Sequence, residues 1–142
     1  MASTITGYTS YKQYVHDGTI NLNNTGKVML ALVKSTYTPN IAHTVWADVS
    51  SEEVANGDGY TTGGEALGSL SVNSTRFDAA DVTWSSLTKT FRYGVLYIND
   101  TVNAIVNPLI AYILFDDTPA DISIGGGDFT VQWSNSGIII FS

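Results

Sequence analysis

The sequence predicts an all-β fold, a single-domain antiparallel β-sandwich of jelly-roll type with one short helical insertion. Three observations carry that prediction. Apolar residues alternate with polar ones over short runs such as Phe91, Tyr93, Val95 and Tyr97, the period-two signature of a strand. Clusters of Gly, Asn and Asp divide these runs into roughly eight segments at about ten to fifteen residue spacing, as in sandwiches. Only one stretch, residues 41–56, carries apolar residues near helical spacing (Ile41, Val45, Trp46 and Val49).

Taken in order, residues 1–18 form an N-terminal arm or edge segment in which Tyr8, Tyr11 and Tyr14 recur at every third position. They read either as an arm docking its tyrosines on a partner, or as a strand or short helix covering the edge of the core, since aromatic area usually serves packing. The sandwich domain spans residues 19–142. Residues 19–22 alternate as a short strand, ended by the turn cluster at 23–26. Residues 27–34 are a compact apolar run with a lysine at each end, which suits a strand buried on both faces with charged gatekeepers. A loop with Pro39 leads to the helical stretch, where Ser51, Glu52 and Glu53 are placed to open a second turn. Residues 57–64 hold four glycines in eight positions and read as a loop.

From Glu65 onward every element reads as strand. Residues 66–72 are a broken alternation weakened by Gly68, and Arg76-Phe77-Asp78 leads into Val82-Thr83-Trp84. Residues 88–99 read as one alternating strand, and residues 108–115 as a continuous apolar strand stopped by Asp116-Asp117-Thr118-Pro119. The remainder divides into a strand at 121–124, a turn at Gly125-Gly126-Gly127, a strand at 129–133, a turn at 135–137 and a last strand at 138–141.

Composition narrows function. The chain has 142 residues, enough for one domain that buries roughly 70% of its unfolded surface. Charged residues are only 13%, net charge is −7, and the six basic residues are scattered singly. Phosphate binding needs a clustered basic face, so no direct nucleic-acid partner is expected. The polar surface is instead Thr, Ser, Asn and Gly, cheap to desolvate and suited to close packing against neighbours. With no cysteine, disulfides, thiolate nucleophiles and Cys-based zinc sites are excluded. The first seven residues lack a basic segment followed by an apolar core, so no signal peptide is expected. The apolar runs fall far short of a membrane span, so no membrane partner is expected.

No motif points to catalysis, and no catalytic, cofactor-binding or metal residue is assigned. His16 and His43 stand alone, without a Gly-x-Ser-x-Gly elbow or a zinc spacing. Asp116, Asp117 and Asp121 bracket a turn; calcium is a conceivable ligand, but aspartates commonly close turns by bonding amides. Glu52, Glu53 and Glu65 read as a solvated face, and the glycine loop lacks the lysine and the strand–loop–helix frame of a phosphate cradle. Trp46, Trp84, Trp133, Tyr60, Tyr93 and Tyr97 offer a sugar-binding platform or, more commonly, core filling. Three Asn-x-Ser/Thr matches, at Asn23, Asn73 and Asn99, read as chance without a secretory leader.

Several segments together resemble small virion proteins of tailed bacteriophages. They are residues 28–33, the loop Gly57-Asp58-Gly59-Tyr60-Thr61-Thr62-Gly63-Gly64 with Glu65-Ala66-Leu67, residues 77–84, residues 91–97, Pro108-Leu109-Ile110, and residues 129–138. The resemblance implies a capsid decoration (cement) protein on the outer surface of the virion, made in the host cytoplasm and needing no cofactor. It implies as partners the major capsid protein and further copies of the chain, as a homotrimer. Expected contact residues are Tyr8, Tyr11 and Tyr14 of the arm and Asp58, Tyr60 and Thr61 of the glycine loop. The alternative is a receptor- or glycan-binding module of a tail or fibre.

Overall fold

A computed structural model describes residues 3–20, 22, 27–72, 76–133 and 138–140. The expected turns at 23–26 and 135–137, and the Asn23 and Asn73 acceptor motifs, lie outside the described residues. The chain opens with β1 (Thr4–Gly7) and α1 (Thr9–His16), then β2 (Val28–Val33) and two 3-10 turns at Trp46–Asp48 and Ser50–Glu52. Short strands follow: β3 (Glu65–Ala66), β4 (Ser71–Val72) and β5 (Arg76–Asp78). Next come β6 (Val82–Phe91), β7 (Tyr93–Ile98), β8 (Thr101–Val102), β9 (Ile105–Val106), β10 (Leu109–Leu114), β11 (Ile122–Val131) and β12 (Ile139–Ile140).

The architecture is an all-β antiparallel sandwich. A five-stranded sheet of order β1-β10-β7-β2-β3 is its backbone, joined by a β11-β6 ribbon and a three-stranded sheet of order β12-β5-β4. These orders describe a sandwich and do not by themselves establish jelly-roll connectivity. The run at residues 27–34 behaves as expected of a strand buried on both faces. Val28, Leu30 and Leu32 point into the core shared with Trp84, Leu87, Phe91 and Val131 of the ribbon. Ala31 and Val33 face the other way, with Val95, Tyr97 and Leu109, under a cover of Tyr8, Tyr37, Trp46 and Val49. The central sheet is thus covered twice, by a sheet on one side and by irregular chain on the other.

Two local rules shape the sheet. In β10 the pairing shifts between Leu109, opposite Tyr97, and Ala111, opposite Leu96. The extra residue, Ile110, is a bulge, and it lets a continuous apolar run feed both cores. The stretch 88–99 is two strands, not one. Phe91 ends β6 against the shared core, whereas Tyr93 begins β7 on the opposite face. At the corner Arg92 donates its N–H to the Val33 carbonyl at 3.0 Å, and its Nε to Asp121 Oδ1 at 2.8 Å. One residue therefore carries the chain between the sheets, as at sandwich corners.

The helical expectation is corrected. Residues 41–56 contain only the two 3-10 turns, because Val45 is extended (φ −133°, ψ 158°) and bridges Pro108 while Trp46 N–H reaches the Asn107 carbonyl at 2.8 Å. Sheet-edge pairing wins over helical spacing there. The α-helix lies instead at Thr9–His16, where Tyr11 is buried and Tyr14 and Val15 pack on the core, the i, i+3, i+4 stripe of one helix face. The expected strand at 19–22 is not present among the described residues: Ile20 and Leu22 are buried as single side chains. Residues 66–72 divide between two sheets, β3 pairing with β2 and β4 with β5.

Candidate interaction surfaces

Most of the expected contact tyrosines belong to the interior. Tyr8 is 0% exposed, Tyr11 2% and Tyr60 2%, and Tyr14 is partly buried against the same core. Rings of this size are held inside by the apolar area they remove from water, so Tyr8, Tyr11 and Tyr60 lie in the interior of the chain, while Tyr14 keeps part of its ring at the surface. The hydroxyls of Tyr8 and Tyr60 find internal partners. Tyr8 and Tyr37 share a hydrogen bond at 2.9 Å, and the Tyr37 hydroxyl lies 3.2 Å from His43 Nδ1. Tyr60 donates to Glu53 Oε1 at 2.6 Å and accepts from the Leu32 N–H at 3.2 Å.

Burial raises the tyrosine pKa values from the ordinary 10, to about 12 for Tyr11 and Tyr97 and higher still for Tyr8 and Tyr60. A folded pKa above the unfolded one contributes stability that is complete below pH 10 and is lost as pH climbs toward 12. Alkaline titration should therefore show these phenols ionising together with loss of the β-sheet circular dichroism. Ionisation of Tyr8, Tyr11, Tyr60 and Tyr97 near pH 10 with the sheet intact would contradict this placement.

The glycine loop is a structural bridge. Asp58 ties the loop to β6: its carbonyl accepts the Thr88 N–H at 2.8 Å and its carboxylate lies 3.7 Å from Lys89 Nζ. Gly59 (φ +88°) rests on β6, where an added Cβ would lie 2.9 Å from Leu87 Cα. Gly64 (φ +86°) rests on β2 in the same way. Glu53 Oε1 also accepts the Gly63 N–H at 2.6 Å, and the Tyr97 hydroxyl donates to the Gly63 carbonyl at 2.7 Å. The loop joins ribbon to central sheet, and of the three expected contact residues Asp58 and Thr61 are exposed.

The other candidates resolve into local roles. Asp116 caps its turn by accepting from the Thr118 N–H at 3.1 Å and hydroxyl at 2.8 Å, bonds that hold its carboxyl below the usual range. Asp121 is engaged by Arg92, and Glu52 accepts from the Thr36 hydroxyl. Among the described residues no three His, Asp or Glu side chains gather at a metal-binding spacing. The aromatic platform does not form as one surface. Trp46 stacks on Tyr97 at 4.4 Å with both buried, Trp84 is 1% exposed, and Trp133 turns its Nε1 to the Ala80 carbonyl at 3.0 Å. Tyr93 and Tyr112 remain half-buried, ring centroids 6.4 Å apart, on the outer side of the central sheet.

The feature that sequence reasoning missed is the ribbon. Residues 125–127 are not a turn; β11 runs through them, with register shifts on either side of Gly127 and a left-handed Gly126 (φ +89°). Val82, Trp84, Leu87 and Phe91 of β6 are buried, and Val131 of β11 with them. The opposite face is exposed and almost wholly neutral: Thr83, Ser85, Thr88 and Thr90 on β6, Ser123 and Thr130 on β11. Two cross-strand hydroxyl pairs order it, Thr83 with Thr130 and Thr90 with Ser123, both at 2.9 Å. The one charge on it, Asp128, accepts the Ser86 N–H at 3.2 Å. Hydroxyls fixed in this way have lost part of their rotational freedom before any contact is made, which lowers the cost of binding. Such a face can adhere to a flat surface over area; it carries no acid–base pair.

Comparison with protein families, with curated proteins and with solved structures finds no match to this chain.

Proposed function

We propose that the chain is a capsid decoration protein that adheres to the outer surface of a bacteriophage head through the exposed hydroxyl face of the β6–β11 ribbon. The virion assignment rests on the resemblance of its segments to small tailed-phage virion proteins. The observation that supports the adhesive mode is the ribbon face itself, neutral and internally hydrogen-bonded on a chain of net charge −7. On a chain of this net charge, a face without charge is where another surface can approach with the least charge to desolvate. Adhesion of this kind works by many weak contacts multiplied over symmetric copies on the shell.

A second reading, a receptor- or glycan-binding module, draws on the half-buried Tyr93 and Tyr112, which meet edge to face beside the Tyr37–His43 pair. One experiment separates the two. The triple variant Thr83→Glu, Ser85→Glu, Thr88→Glu alters exposed positions only, so its stability should change by about 0.5 kcal/mol per site or less. Its binding to particles lacking the protein should fall by about tenfold for each 1.4 kcal/mol of lost contact or added repulsion, and those particles should lose their resistance to heat and low salt. Undiminished binding would remove the ribbon face. Loss of host adsorption in Tyr93→Ala, Tyr112→Ala, with particle stability unchanged, would favour the second reading.

A further inference from the structure

The same ribbon carries an open edge. β11 pairs with β6 on one side, and among the described residues nothing pairs with its other side. The far side of β6 is partly occupied, since its Thr88 N–H is taken by the Asp58 carbonyl and Gly59 lies against Ser86 and Leu87. The other outer strands described are short: β1 has four residues, β3, β4 and β12 two each. β11 has ten. A long edge strand exposes a row of unsatisfied N–H and C=O groups, and proteins that stay apart protect it with lysine, proline or inward charge. β11 (Ile-Ser-Ile-Gly-Gly-Gly-Asp-Phe-Thr-Val) contains no lysine, arginine or proline, and the one such device it carries is the central irregularity at Gly126 and Gly127.

Its residue order says what fits there. About a point between Gly126 and Gly127 the strand is nearly its own reverse. Ile122 corresponds to Val131, Ser123 to Thr130, Ile124 to Phe129, and Gly125 to Asp128. The inward-facing apolar residues thus match inward-facing apolar residues, and hydroxyls match hydroxyls. The bulge lies at the centre of this reversal, at the register shifts around Gly127, so two copies bent at that point remain complementary.

We propose that two copies of the chain associate edge to edge through β11, antiparallel, about a two-fold axis between Gly126 and Gly127. Each Asp128 then lies opposite Gly125 of the second copy, so the carboxylates do not face one another, and its Oδ1 keeps the Ser86 N–H. The two ribbons become one four-stranded sheet. Its inner side continues the apolar layer of Ile122, Ile124, Phe129 and Val131, and its outer side doubles the hydroxyl face. The contact is isologous and closes at two copies, which differs from the trimer implied by the virion resemblance. The pairing does not depend on particle adhesion and is read on the isolated protein, so failure of either leaves the other standing.

The test is solution mass by sedimentation velocity over a concentration series, on the full chain. Wild type should show twice the 15.2 kDa chain mass. In the variant Ser123→Lys, Thr130→Lys each new ammonium group faces another across the axis, and dimer affinity should fall about tenfold or more. In Ser123→Glu, Thr130→Lys the same positions carry opposite charges across the axis, and dimer mass should return. The second variant also controls for folding, because it changes the same exposed sites. A single-chain mass for wild type throughout, a three-chain mass, or a dimer indifferent to the lysine pair would overturn the proposal.

Discussion

Gly64→Ala should be among the most damaging single changes available in this chain, removing about 4 kcal/mol of stability. Gly64 has φ +86°, a region that costs a residue with a side chain about 1–3 kcal/mol. The added methyl also has nowhere to go. It would fall inside contact distance of the Leu30 carbonyl oxygen and 2.8 Å from Ala31 Cα. These are backbone atoms of β2, paired on both sides by β7 and β3, so they cannot yield as a flexible side chain would. Overpacking of that kind adds about 1–3 kcal/mol or more. Relief would require the loop to lift, breaking the Gly63 bonds to Glu53 and Tyr97. Gly57 is the control. Its φ is +103° but nothing lies within 4 Å of an added Cβ, so Gly57→Ala should show the conformational cost alone. Urea midpoints of the two variants check this, and equal losses would show that the close approach to β2 carries no weight.

How much of this was legible beforehand follows from which interactions decide each segment. Strands β2, β7 and β10 were readable because they lie in the middle of the sheet and are apolar on both faces, so burial alone determines their state. The corner at Arg92 was not. No Gly or Pro marks it, and the alternation Phe91, Tyr93, Val95, Tyr97 continues unbroken across a change of sheet; only a distant partner, Asp121, reveals the bend. Gly125-Gly126-Gly127 misled for the opposite reason. Its local chemistry is that of a turn, yet pairing with Thr88 and Leu87 holds it in a strand, a tertiary decision that local propensity does not contain. The tyrosines of the arm allow both readings, and the structure divides them: Tyr8 precedes the helix and packs on one side of the central sheet, whereas Tyr11 and Tyr14 lie on one helix face against the other core. The ribbon surface was present in the alternation of Thr83, Ser85, Thr88 and Thr90 with buried neighbours. Hydroxyl residues in strands announce exposure, but only the cross-strand partner shows that they form one ordered face.

Trp84→Ala should have an effect as large as Gly64→Ala, by the reverse mechanism of an emptied site. Trp84 is 1% exposed, with Tyr60 at 6.4 Å and Phe129 at 6.0 Å between ring centroids, so it connects the loop's anchor to the ribbon's inner face. Aromatic-to-alanine changes in cores cost about 3–5 kcal/mol through lost transfer energy and residual cavity. Against a total of about 5–15 kcal/mol for a domain, that removes about a fifth of the stability or more. The indole also contains a liability. Its Nε1 is buried with no hydrogen-bond partner among the described residues, a state that costs about 1–3 kcal/mol. Trp84→Phe gives up part of the ring but also gives up the unsatisfied N–H, and the two terms oppose each other. Its net loss should therefore be small, about 1 kcal/mol or less. Denaturant midpoints at unchanged slope measure both. A phenylalanine variant as damaged as the alanine one would mean that the full indole shape, and not apolar volume, holds the ribbon to the core.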